Sequence, residues 1–299
     1  MQSVLIAGGG YTGLRLAQRW LSRGAAVRAS ATRPQSIERI AALGVTALTL
    51  PLDRPVEPLP VGGSLVYYLV PPPQAGDDDP RLGHFLEALR GIPERIVYMS
   101  TTGVYGDRGG ARVDEETPPD PRTARARRRL AAERALRTWA ESRAASFTIL
   151  RVPGIYGPGR LPLERLAAGH PAIRLEEAGP GNRIHVDDLV SACLAAGTSA
   201  RAHRRIYNVT DGSDESHSAW LLRVARIAGL PPPPLLPRDE ALRQASPTAL
   251  SFLGESRRVD AGRLRSELGV RPLYEDLDAG IRASLVADAR AGVEPDGRA

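Results

Sequence analysis

Short, mostly apolar runs alternate with amphipathic stretches over the first two-thirds of the chain. Ser3–Ala7, Ala26–Ala31, Val45–Leu50, Ser64–Val70, Arg95–Ser100, Phe147–Val152 and Ile206–Val209 read as seven strands. Tyr11–Ser22, Gln35–Leu43, Arg81–Arg90 and Thr123–Arg143 read as helices between them. The first helix carries Leu14, Leu16, Ala17, Trp20 and Leu21 at helical spacing and stops at Gly24. The run Leu65–Val70 is apolar without interruption, which predicts burial on both faces of a sheet. Alternating strands and helices of this kind predict an α/β architecture, a Rossmann-type doubly wound parallel sheet.

The rhythm fails over Arg160–Ile173 and from about Leu230 to Tyr274, and four prolines, Pro231–Pro234, follow the Trp220–Ala228 helix. The expected division is a sheet domain over 1–159, completed by about 183–229. A smaller, discontinuous lobe then takes 160–182 and 230–299, with a frayed tail from Gly292.

Composition narrows the function classes. At 299 residues, with 42% hydrophobic and 25% charged positions, the chain can bury a large core without disulfides. Cys193 is its single cysteine, so neither an intramolecular disulfide nor a cysteine zinc site is expected, and no metal ligands are assigned. That usage fits a cytoplasmic protein. The longest apolar stretch, about Ser64–Pro73, is far short of the roughly 20 residues that span a bilayer, so no membrane partner is expected. Met1–Ile6 lacks a basic leader region and reads as a strand. The net charge of +6 is carried by arginine, and no nucleic-acid-binding motif accompanies it. The partner expected is therefore a small anionic molecule rather than nucleic acid.

Gly8-Gly9-Gly10-Tyr11-Thr12-Gly13 contains G-x-G-x-x-G between a strand and a helix, the context in which that pattern binds a dinucleotide. Gly8 serves the turn, Gly10 admits the pyrophosphate and Gly13 permits close packing. Tyr11 and Thr12 open a helix whose free N–H groups face the phosphates. Leu69 and Val70, at the end of the fourth strand, complete the expected cofactor wall. The second strand ends in Ser30-Ala31-Thr32-Arg33 with no carboxylate to hold a ribose hydroxyl. Arg33 is placed for a 2′-phosphate instead, so NADP is favoured over NAD. Asp53 is a candidate acceptor for the adenine amine.

Later motifs fall into one pattern. Ser100-Thr101-Thr102-Gly103-Val104-Tyr105-Gly106, Leu150–Gly159 (with Tyr156-Gly157-Pro158-Gly159), Arg183-Ile184-His185-Val186-Asp187-Asp188-Leu189, Tyr207-Asn208-Val209 and Arg263–Gly269 occur in order. Together they resemble the extended short-chain dehydrogenases/reductases, the epimerase/dehydratase-like branch. The resemblance implies NAD(P)-dependent chemistry on a substrate held between the Rossmann domain and the C-terminal lobe. It also implies a homodimer through helices flanking the site, although here one such helix is crowded with arginines.

One departure is large. The family's catalytic Tyr-x-x-x-Lys pair aligns, on Glu133, with Arg125 and Arg129, and no tyrosine lies between Tyr105 and Tyr156. Arginine keeps its proton and cannot act as the family's acid/base. Arg129 remains a candidate for the nicotinamide ribose. Arg125 remains a candidate for polarising a carbonyl or binding an anion, and Thr101 takes the place of the family's catalytic hydroxyl. Tyr105 and Tyr156 are candidate replacement acids. Arg122, Arg125 and Arg129 share one helix face, which with Tyr156 and Arg183 forms the expected substrate set. His185 is expected to orient the loop into its helix, and Asp187 and Asp188 to cap that helix. Two functions follow: an atypical oxidoreductase or epimerase acting on an anionic, perhaps nucleotide-linked, substrate, or a non-enzymatic NADP-binding sensor or interaction module.

Overall fold

The computed structural model describes residues 1–245, 250 and 253–291. The expected frayed tail lies outside the described residues. Seven parallel strands form the central sheet: β1 (Ser3–Ala7), β2 (Ala26–Ala31), β3 (Thr46–Thr49), β4 (Leu65–Tyr68), β5 (Arg95–Thr101), β6 (Phe147–Val152) and β7 (Arg205–Asn208). Their order across the sheet is β7-β6-β5-β4-β1-β2-β3, so the winding reverses between β1 and β4. A crevice opens at the C-terminal ends of the strands at such a switch point.

Continuous apolar strands are buried on both faces because helices cover both. Val4 and Ile6 of β1, with Leu65 and Tyr67 of β4, face a core shared with α1 (Tyr11–Leu21) and α5 (Val186–Thr198). Leu5 and Ala7, with Val66 and Tyr68, face the opposite core beneath α3 (Pro80–Ala88) and α4 (Ala124–Ser142). The remaining sheet helix, α2 (Pro34–Ala42), starts at Pro34 behind Arg33 and buries Ile40.

A separate small core collects Tyr156, Leu166, Trp220, Leu221, Val224, Leu277 and Ile281. It joins α6 (His217–Ala228) to α7 (Leu277–Ala291) and the short helix Leu163–Ala167. The sequence grouped the α6 region with the sheet domain; its apolar face packs into this smaller core instead, because Trp220, Leu221 and Val224 point there.

Candidate functional site

The glycine turn lies at the C-terminal end of β1, at the switch point. Gly8 has φ of 102°, and a side chain on it would stand 3.1 Å from the backbone of Leu69 and Val70. A β-carbon on Gly13 would lie 2.1 Å from the Gly8 carbonyl oxygen, so α1 and the turn pack at glycine distance. Above Gly10 nothing stands within 4 Å, which leaves the approach a pyrophosphate needs. Gly10 caps α1 without a side-chain hydrogen bond, so the first-turn N–H groups are offered outward. Ser30 ties the turn to β2, accepting from Gly8 N–H through its hydroxyl (3.1 Å) and from Gly9 N–H through its carbonyl (2.6 Å). These residues fit a dinucleotide.

Around this turn, Arg33 is exposed just past β2 and precedes α2, as a 2′-phosphate contact requires. Asp53 is less suited to an adenine: its carboxylate accepts from Arg81 Nε at 2.7 Å and is held toward solvent. Arg129 also differs from expectation. Its Nη1 donates to the carbonyls of Val70 (3.3 Å) and Met99 (2.9 Å) and to the Tyr98 hydroxyl (3.2 Å). It stitches the ends of β4 and β5 together, and that nitrogen is occupied rather than turned to a ribose.

A cleft of about 720 Å³ lies between the ends of β5 and α4 on one side and the lobe on the other. Thr101, Arg125, Arg160, Arg165, His217, Arg238, Glu255 and Arg257 line it. Thr101 accepts from Gly103 N–H at 3.1 Å, which fixes its hydroxyl and leaves the proton to donate. Burial of the Arg125 guanidinium, then the neighbouring Arg129 and Arg128 charges, lower its pKa, although the residue as a whole is exposed. Burial lowers Arg160 and Arg165 as well. Burial, with Arg183 and Arg165 nearby, pushes His217 down to about 4, so it is neutral at pH 7. Arg160 also lies over one face of the Tyr11 ring at 4.0 Å while Arg15 covers it at 4.1 Å, linking the cleft to the glycine turn.

Several expected site residues lie elsewhere. Tyr105 is fully buried, donates to Asn208 Oδ1 at 2.8 Å and has its pKa raised by burial, so it is no replacement acid. Tyr156 is buried in the small core against Trp220 and His185, its hydroxyl likewise pushed up by burial. Arg183 is buried, lies over Trp220 at 5.5 Å and donates to the Glu215 carbonyl at 3.0 Å. Arg122 pairs with Asp120 at 2.7 Å, is exposed ahead of the first turn of α4, and is not among the described residues lining the cleft. His185, not Asp187 or Asp188, caps α5: its Nδ1 accepts from Asp187 N–H at 3.2 Å. Asp188 instead accepts from the N–H groups of Leu273 and Tyr274. Arg160, Arg165, His217, Arg238, Glu255 and Arg257 were missed. Only Arg160, directly after the Tyr156–Gly159 motif, carried a signal.

Residues 84–210 match the NAD-dependent epimerase/dehydratase family model. A 3-diazoavenalumate denitrifying reductase from Streptomyces is 30% identical over 227 residues, covering 70% of this chain and 73% of that protein. The chain belongs to the NAD-dependent epimerase/dehydratase family. Protein YeeZ of Escherichia coli K12 is 27% identical over 292 residues, 92% of this family member and 97% of YeeZ. A solved structure of a functionally unknown protein from Silicibacter pomeroyi superposes with a TM-score of 0.81 at 30% identity, covering 96% and 99% of the two chains. The fold is shared more widely. UDP-glucuronic acid 4-epimerase of Bacillus cereus, solved with UDP-glucuronic acid and NAD, gives a TM-score of 0.74 at 18% identity over 97% of this chain and 100% of that one.

Proposed function

We propose that this family member is an NADP(H)-dependent oxidoreductase or epimerase-like enzyme for a small anionic substrate, working without the usual tyrosine and lysine. The observation that carries the reading is the cleft, whose lining among the described residues holds five arginines and one carboxylate. Low-dielectric walls and clustered guanidinium groups favour carboxylate or phosphate ligands. A nicotinamide cofactor, when bound, supplies hydride transfer. The chain's own part is to seat the pyrophosphate at Gly10, to pair a 2′-phosphate with Arg33 and to hold the substrate. Thr101 donates its hydroxyl proton to a substrate oxygen, and Arg125 polarises or binds without exchanging a proton.

The arginine at position 125 also favours a non-enzymatic NADP-binding sensor. A cleft of this size and charge favours the enzyme, since a sensor has no need of it.

Calorimetric titration with NADPH and NADH tests the reading. NADPH binds more tightly, and Arg33→Ala weakens NADPH by about tenfold or more while NADH changes by less than about twofold. Equal losses for both cofactors remove Arg33 from the 2′-phosphate site. No binding of either ends the enzyme reading.

A further inference from the structure

One arginine of the cleft lining differs from its neighbours in what it touches. Arg165 donates to the Pro171 carbonyl at 2.8 Å, Arg238 to the Leu253 carbonyl at 2.9 Å and Arg257 to Glu255 at 2.8 Å. Among the described residues the Arg160 guanidinium makes no hydrogen bond and no ion pair. It rests on the Tyr11 ring, 4.0 Å from the centroid. Stacking on a ring leaves the five N–H donors of a guanidinium unspent.

The loop that carries Arg160 is seated beside α1. Arg160 N–H donates to the Gly157 carbonyl at 3.0 Å. A β-carbon on Gly157 would stand 2.7 Å from the Tyr11 hydroxyl oxygen and 2.8 Å from Val186 Cγ1. The loop therefore packs at glycine distance on the first residues of α1 and α5. Arg15 also covers the Tyr11 ring, at 4.1 Å, but one of its nitrogens donates to the Tyr11 carbonyl at 3.0 Å. Two guanidinium groups thus flank the residue that follows Gly10, above which nothing stands within 4 Å.

The open space at Gly10 is where the dinucleotide reading seats a diphosphate. That group carries adjacent negative charges, and the N-terminus of α1 offers it backbone N–H groups and a partial positive charge only. No acidic residue stands in the first turn of α1 to oppose it. The guanidinium fork matches a pair of phosphate oxygens. We infer that Arg160 is a cofactor residue, whose guanidinium pairs with the diphosphate, so that the loop after Gly159 closes on the cofactor. This rests on the dinucleotide reading above, and it leaves the other arginines of the cleft to the substrate.

Two measurements test it. In calorimetry on the full chain, Arg160→Gln is expected to weaken NADPH and NADH alike by about tenfold, because both carry the diphosphate. Unchanged affinity for both overturns the assignment, and so does a loss confined to NADPH. The second measurement uses the unaltered protein, with phenylglyoxal labelling of Arg160 read by peptide mass spectrometry. Saturating NADPH is expected to suppress the labelling severalfold, whereas adenosine 2′-monophosphate, which lacks the diphosphate, leaves it unchanged. Equal labelling with and without bound NADPH overturns the assignment, even if the variant fails to fold, and leaves the dinucleotide reading standing. If the unaltered protein binds neither dinucleotide, both readings fall.

Discussion

A buried histidine shows how one residue serves the frame around the site rather than its chemistry. His185 is 1% exposed, packs against Tyr156 and Tyr274, and caps α5 as a neutral ring. Burial, the leading cause, pushes it down to about 4 against an ordinary value of 6.5. The unfolded chain therefore binds more protons between those limits. Stability is full above pH 6.5 and is lost as pH falls toward 4. The urea midpoint should drop between pH 7 and pH 5, and His185→Asn, which keeps an acceptor for the cap, should flatten that drop. An equally steep fall in the variant contradicts the assignment. Sequence motifs placed His185 correctly but misjudged Tyr105 and Tyr156. A tyrosine inside an apolar motif fits a site or a core equally well. Only the hydrogen bond to Asn208 and the contact with Trp220 decide for the core here.

Helix α4 has six arginines, and Arg127, Arg128 and Arg129 hold structure. Arg127 pairs with Asp77, and Arg128 donates to the Gly76 carbonyl at 2.6 Å, so the loop after β4 is gripped by the helix. Deeper in, Glu133 accepts from Arg151 Nε and Nη2 at 3.1 and 2.8 Å and from the Ser100 hydroxyl at 2.5 Å. Both members of this ion pair are 3% exposed. Removing one partner of a buried pair leaves an uncompensated charge. Glu133→Ala should thus cost about 3–5 kcal/mol in chemical unfolding. A loss below about 1 kcal/mol would place the pair in effective contact with water. The strands were legible because burial on both faces demands unbroken apolar runs. The helix's role was not, since Arg127, Arg128 and Arg129 meet partners 30 to 59 positions away along the chain.

At the scale of the whole molecule, two cores divide the work. The sheet and its helices carry the glycine turn, while the smaller core around Trp220 shapes the far wall of the cleft. Trp220→Ala should cost about 3–5 kcal/mol in urea unfolding. Its NADPH affinity should stay within about twofold, because the turn belongs to the other core. A parallel loss of cofactor binding would show that the cores do not act separately. The fold was readable from motifs in fixed order. The cleft was not, because Arg160, Arg165, Arg238 and Arg257 come from separate segments that only the folded lobe assembles.

The stack of Arg15, Tyr11 and Arg160 joins a residue of the cleft lining to the first residue of α1. On the proposed function, an anion that drew Arg160 off the ring would remove a contact from the first residue of α1, beside the glycine turn. Whatever factor the anion then imposes on cofactor affinity, the cofactor must impose on the anion. Saturation curves for the two ligands therefore have to be measured as a pair, each at fixed levels of the other.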